Sequence, residues 1–278
     1  MNRRLVATGA GLGLLAMHLP LLLLMAWSFN ASRTGARWDG FTIGWYARLL
    51  ERPDLLRALW TSLVVGTIST LLATALGTGA ALALARGRFR GRALLEALLA
   101  VPIVTPEIVA GISLLILVTG LGLPLGLLTV IIAHTTFSLP FTTLVVLARL
   151  RGMDTALEEA ALTLGADEWT AFRRVTLPLL MPGVIGAALL AFTVSFDDFV
   201  ITFFTAGPGT TTLPLMVYSM VRRTVEPSVN AISTLLVVGT TVMLVIAARL
   251  TISPPPRHAR AAGPPTSLHS GRQPPRVE

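Results

Sequence analysis

Glu159-Ala160-Ala161-Leu162-Thr163-Leu164-Gly165, followed by Val175-Thr176-Leu177-Pro178, lies in a charged segment flanked by two long apolar runs. Asp154 stands where an N-cap belongs. Leu157, Ala160, Ala161 and Leu164 recur on one helical face, and Gly165 falls where that helix should stop. Asp167 is placed to cap a second short helix that presents Trp169 and Phe172 and ends in Arg173 and Arg174, with Pro178 and Pro182 expected to close it off. Two short helices at an angle make a knob. Its apolar ridge has no lipid to enter, so a protein groove is the expected partner, and a loop folded back on its own bundle is the alternative.

The rest of the chain sets the solvent. Of 278 residues, 53% are hydrophobic and 13% charged, about half the usual charged share of roughly 25% in a soluble domain. A helical membrane protein is the class this defines. All 22 basic residues are Arg, giving a net charge of +8; there is no Lys and no Cys. A nucleotide-binding loop of the Walker type needs its Lys, so ATP hydrolysis is expected elsewhere. Disulfides and thiolate metal sites are excluded, and no cofactor is expected. The Arg residues are spread between apolar runs and form no single patch, which argues against nucleic acid and for membrane topology.

Six apolar stretches reach the length of about 20 residues needed to cross a bilayer; they are placed near 5–28, 60–85, 94–118, 126–148, 183–206 and 231–250. Arg86, Arg88, Arg90 and Arg92 between the second and third mark a cytoplasmic loop, and an even span count then puts both termini inside. Fifteen of the 22 Arg fall on that side and seven outside. Arg3 and Arg4 before the first run also suit a signal peptide, but the run is long and lacks a small-x-small cleavage site, so it is read as a span. The expected organisation is a first span with an external segment (1–59), a transmembrane domain (60–250) enclosing the charged loop (150–181), and a Pro- and Arg-rich disordered tail (251–278). Trp38, Phe41, Trp45, Tyr46 and Trp60 suggest that residues 30–60 lie along the external interface. There is no evident internal repeat.

Within the spans, the informative residues are those that are costly to place in lipid. Glu107 follows Pro102 and Pro106 in the third span, and Asp197-Asp198 sit in the fifth, flanked by Phe196 and Phe199. An intramembrane carboxylate faces a cavity, a partner or a permeant ion, or else it caps a broken helix. Adjacent acids point about 100° apart on a helix, so one of the two is expected on a pathway. His134 in the fourth span is more readily a helix-to-helix hydrogen bond than a ligand contact.

The loop pattern, E-A-A-x3-G-x9-V-x-L-P, resembles the cytoplasmic docking loop of ABC-importer permeases. Further matches narrow the resemblance to the spermidine/putrescine permeases. They are Gly44-Trp45-Tyr46, Pro106-Glu107-Ile108-Val109, Ile112-Ser113-Leu114-Leu115, His134-x2-Phe137-x2-Pro140-Phe141 and Ser195-Phe196-Asp197-Asp198-Phe199-Val200. Gly207-Pro208, Leu213-Pro214, Tyr218-Ser219-Met220-Val221 and Pro227-x2-Asn230-Ala231 complete them. The resemblance implies an all-α type I importer fold in a bacterial inner membrane. It also implies two cytoplasmic ATP-binding subunits, a second related permease subunit and a periplasmic or extracellular substrate-binding protein. Glu159, Ala160, Ala161, Gly165, Leu177 and Pro178 would then couple to the ATPase. Glu107, Asp197 and Asp198, by charge, and Phe196 and Phe199, by cation–π contact, would line the route of a cationic solute. An ion-coupled secondary transporter would also place carboxylates in the membrane but has no use for the docking loop. An intramembrane hydrolase would need a nucleophile and a base together, and neither Gly-x-Ser-x-Gly nor His-Glu-x-x-His occurs.

Overall fold

In lipid the backbone amides of an apolar run have no partners but each other, so these runs fold as helices. The computed structural model describes residues 3–33, 37–223 and 227–251. In chain order its helices are α1 (Arg3–Trp27), α2 (Gly44–Leu50), α3 (Pro53–Arg86), α4 (Arg92–Val104), α5 (Glu107–Gly120) and α6 (Leu127–Arg151). They continue with α7 (Ala156–Thr163), α8 (Glu168–Ala171), α9 (Leu177–Asp197), α10 (Val200–Thr205), α11 (Leu213–Arg223) and α12 (Pro227–Thr251). The tail expected to be disordered lies outside the described residues except for Thr251, which ends α12.

Among the described residues, five helical stretches are long and apolar enough to cross a membrane: α1, α3, α6, the run from Glu168 to Asp197, and α12. The third expected span is not one helix. α4 and α5 meet at a bend of 118°. The cause is Pro106: it has no N–H to offer the helix, and it forces the preceding Thr105 into an extended conformation at φ −72°, ψ 130°. The fifth span departs from expectation at both ends. α9 stops at Asp197, Asp198 is extended at φ −66°, ψ 128°, and α10 restarts at Val200.

At the other end of α9, Pro178 and Pro182 do not terminate the docking helix. A π turn over Phe172–Thr176 joins α8 to α9, with the Leu177 N–H bonded to the Phe172 carbonyl. The wider turn keeps the Pro178 ring clear of the carbonyl one turn back, and the helix runs on through it.

The centre is a three-helix seam of α3, α6 and α9. Gly77 makes the closest approach possible. A Cβ there would lie 2.1 Å from the Thr142 hydroxyl and 3.1 Å from the Thr143 backbone nitrogen. Below this contact Ala81, Leu84, Val146, Leu147, Leu180 and Ala187 form one apolar cluster, and at the opposite end Trp45, Leu49, Leu55, Met220 and Ile232 belong to another. α1 touches α12 but buries none of its apolar length, as suits a helix whose solvent is lipid.

The segment after α1, expected to lie on the external face, is more ordered than aromatic residues lying along an interface would be. Asn30, 1% exposed, accepts hydrogen bonds at Oδ1 from the Ser32 and Asp39 amides (3.1 and 2.9 Å) and donates from Nδ2 to the Arg37 carbonyl (2.7 Å). Trp45 is buried and donates Nε1–H to the Asn30 carbonyl at 2.7 Å. Trp60 stands exposed on α3, which begins at Pro53 and crosses the boundary expected at residue 60.

Candidate functional site

The charged loop is built as a tight helical corner. The Ala156 amide donates to Asp154 Oδ1 at 2.9 Å, and the helix starts one residue later than a cap at Asp154 would place it. Its end is a Schellman turn: the Ala166 amide bonds the Ala161 carbonyl (3.1 Å) and the Gly165 amide bonds that of Leu162 (3.0 Å). Gly165 is left-handed there at φ +89°, where a side chain is strained. Leu164 is 89% and Trp169 66% exposed, so the expected apolar ridge is open to its surroundings. Glu159, Ala160 and Pro178 are exposed, and Ala161 and Leu177 half-buried.

What anchors this corner to the bundle was not singled out in the sequence. Arg86, at the C-terminus of α3, forms a two-pronged ion pair with Glu158 (2.8 and 2.5 Å). The buried Thr176 hydroxyl, in the π turn, donates to Glu158 Oε2 at 2.6 Å. Burial works to raise the Glu158 carboxyl, but the Thr176 hydrogen bond and the Arg86 guanidinium outweigh it and hold the group below the usual glutamate range. The available signal was an Arg in the last turn of a helix facing an acid in the first turn of another.

The second constellation lies where the two broken spans meet. α10 packs chiefly against α5 and α6, and both second halves restart beside an acid, Glu107 for α5 and Asp198 for α10. Each helix N-terminus carries roughly half a positive charge, which these carboxylates counter where a cation would otherwise be repelled. The Glu107 carboxyl reaches that of Asp198. The two neighbouring aspartates have separate surroundings: Asp197 is exposed and Asp198 is 7% exposed.

Asp198 is held by the protein itself. Its Oδ1 accepts from the Ile201 amide (3.1 Å), and its Oδ2 accepts from the Thr202 amide (2.9 Å) and the Thr202 hydroxyl (3.0 Å), capping α10. His134 Nε2 lies 3.2 Å from the same Oδ2 and 2.8 Å from Thr202 Oγ1. On its other side His134 Nδ1 meets Ser195 Oγ at 2.7 Å, and Ser195 meets Ser69 of α3 at 3.0 Å. Because the carboxylate only accepts and the Thr202 hydroxyl donates to it, Nε2 carries a hydrogen.

The two phenylalanines separate. Phe199 lies 4.4 Å, ring to ring, from Tyr218, and both lie near the half-exposed Phe203. Phe196 stacks on Phe192 and packs into the apolar cluster around Leu213 and Ile232. Tyr218 and Phe203 thus join Phe199 where sequence reasoning expected Phe196.

Five spanning helices and one bent pair, with a helical corner projecting between the fourth and fifth spans, define an ABC-importer permease of type I. The fold matches a chain of a bacterial ABC transporter for the acidic polysaccharide alginate, with a TM-score of 0.64 at 16% identity, covering 88% of this chain and 94% of that one. It also matches the MetNI methionine ABC transporter, with a TM-score of 0.60 at 21% identity, covering 71% and 94%. Residues 73–252 match the family of binding-protein-dependent transport system inner membrane components, and the chain belongs to that family. It is 44% identical over 229 residues to the spermidine/putrescine transport system permease protein PotC of Escherichia coli K12, covering 82% of this chain and 87% of the relative. It is 40% identical over 235 residues to the putrescine permease PotI of the same organism, covering 81% and 83%. The protein is therefore a multi-pass inner-membrane permease of an ABC importer.

Proposed function

We propose that this permease carries a polyamine, spermidine or putrescine, along a route past Glu107 and Asp197 and the rings of Phe199, Phe203 and Tyr218. The observation that carries the reading is the gathering of carboxylates at the junction of two broken spans in a chain 44% identical to PotC. A multiply charged cation that sheds water there needs anionic and π-rich partners in exchange. The corner at 154–178 is the docking element, its exposed Leu164 and Trp169 seated in the groove of a cytoplasmic ATP-binding subunit. Two such subunits, a second related permease and a substrate-binding protein on the outer face complete the machine, with both termini of this chain in the cytoplasm. ATP closing the two ATPase subunits moves their grooves, and the corner passes that displacement to α9.

Uptake of labelled spermidine and putrescine by cells carrying the whole system tests both halves, with each variant's membrane level measured. Glu107→Gln and Asp197→Asn should each lower uptake about tenfold, the value of one charged contact in a partly wet site. Gly165→Val, strained at φ +89°, should insert yet lose ATPase stimulation by the loaded binding protein. Normal polyamine uptake by both carboxylate variants refutes the cation route. Full coupling in Gly165→Val refutes the docking role of the corner.

A further inference from the structure

The break in the fifth span is bridged by a single side chain. α9 is packed against α3, α6 and α12, whereas α10 is packed against α5 and α6, so α6 is the neighbour that the two halves share. His134 of α6, 2% exposed, reaches both. Nδ1 holds the end of α9 through Ser195 at 2.7 Å, and Nε2 holds the start of α10 through Thr202 at 2.8 Å and Asp198 at 3.2 Å. With Asp198 engaged on three hydrogen bonds from α10 and in contact with His134, the neighbouring Asp197 is the one left exposed.

We infer that His134 is a positioning residue for transport: by clamping Asp198 and Ser195 across the break, it sets the direction in which Asp197 and Phe199 are presented to the cation. The two aspartates therefore divide the work, Asp198 as the internal anchor and Asp197 as the group that meets solute. The imidazole suits this bridge because its two nitrogens lie on opposite sides of a rigid ring and each can hydrogen-bond, so the spacing between the half-helices is fixed by covalent geometry. A hydroxyl or a carboxylate in its place would reach only one side.

The inference rests on the cation route proposed above, and the test separates the two. Initial polyamine uptake would be measured against concentration in cells carrying the whole system, with membrane abundance determined for each variant. A residue needed only for folding lowers the maximal rate with the abundance and leaves the half-saturating concentration alone. His134→Ala should instead raise that concentration about tenfold, the scale of a lost hydrogen bond to a charged group. His134→Gln, whose amide can both donate and accept, should recover most of it. Ser195→Ala removes only the partner of Nδ1 and should raise the concentration by a smaller factor; it supplies the reading if His134→Ala does not accumulate. Combining His134→Ala with Asp197→Asn should add little to Asp197→Asn alone, because both disable the same contact. If Asp197→Asn affects uptake and the His134 and Ser195 variants leave the half-saturating concentration unchanged, the positioning role is wrong. If Asp197→Asn itself has no effect, the failure belongs to the cation route.

Discussion

Glu158 and Glu159 are adjacent and have opposite fates. The sequence pattern drew attention to Glu159, which is exposed and free to meet a partner, whereas Glu158 is turned inward onto Arg86 and Thr176. Neighbouring positions on a helix differ by about 100°, and which one faces the bundle depends on the path of the corner, which no local pattern records. Asp197 and Asp198 repeat the lesson: the divergence of the pair was legible, but not which one would be capped by α10. The Glu158 contact carries a pH signature. Its carboxyl is held below the ordinary value, so its stabilising contribution is complete above the unfolded-state value and is lost as pH falls through the folded one. Amide-exchange protection of the 156–163 helix in the solubilised complex, corrected for intrinsic rates, should thus stay level from pH 7 to about 5 and decline below roughly pH 4. Glu158→Gln should be less protected at neutral pH and show no such decline. Equal wild-type protection at both ends of the range would show that the ion pair does not hold the corner.

Elements were legible where they were long and uniformly apolar, and misread where a backbone group had to find an unusual partner. α6 and α12 lie close to the expected spans, α6 running through Pro140 without a break, whereas α3 begins well before the expected residue 60. The third run reads as one span, and the bend of 118° comes at Pro106, beyond which α5 packs on α10, some ninety residues away along the chain. The π turn at Phe172–Thr176 was invisible because Pro178 and Pro182 read as the end of the short helix, whereas Pro178 stands in the first turn of α9, where a missing N–H is tolerated, and the helix runs on through Pro182. The α3–α6 seam allows a test at this scale. Gly77→Ala would place a methyl 2.1 Å from the Thr142 hydroxyl, whereas a Cβ at Gly79 meets nothing within 4 Å. Gly77→Ala should destabilise the detergent-solubilised protein by about 1–3 kcal/mol through overpacking. Gly79→Ala should be neutral or stabilising by up to about 1 kcal/mol through helix propensity. The two midpoints of thermal unfolding should move apart, and a common shift would mean the seam is looser than its geometry states.

For the whole molecule, the distribution of Arg predicts which end of the bundle faces the cytoplasm, and the lack of Cys makes the prediction clean to test. Single cysteines at Arg90 and Asp167 should resist an impermeant thiol reagent in intact cells, and one at Arg37 should react. Labelling of position 90 from outside would invert the topology. The same orientation gives the π turn a mechanical meaning. Because it does not interrupt the helix, Trp169 on the helical corner and Asp197 at the mouth of the break stand at opposite ends of one 30-residue body. At 1.5 Å per residue that body is about 45 Å long, and a tilt of about 5° pivoting at one end carries the other through about 4 Å. It is a lever arm. A tilt of that size about the corner would swing the acidic junction past the diameter of an ammonium group.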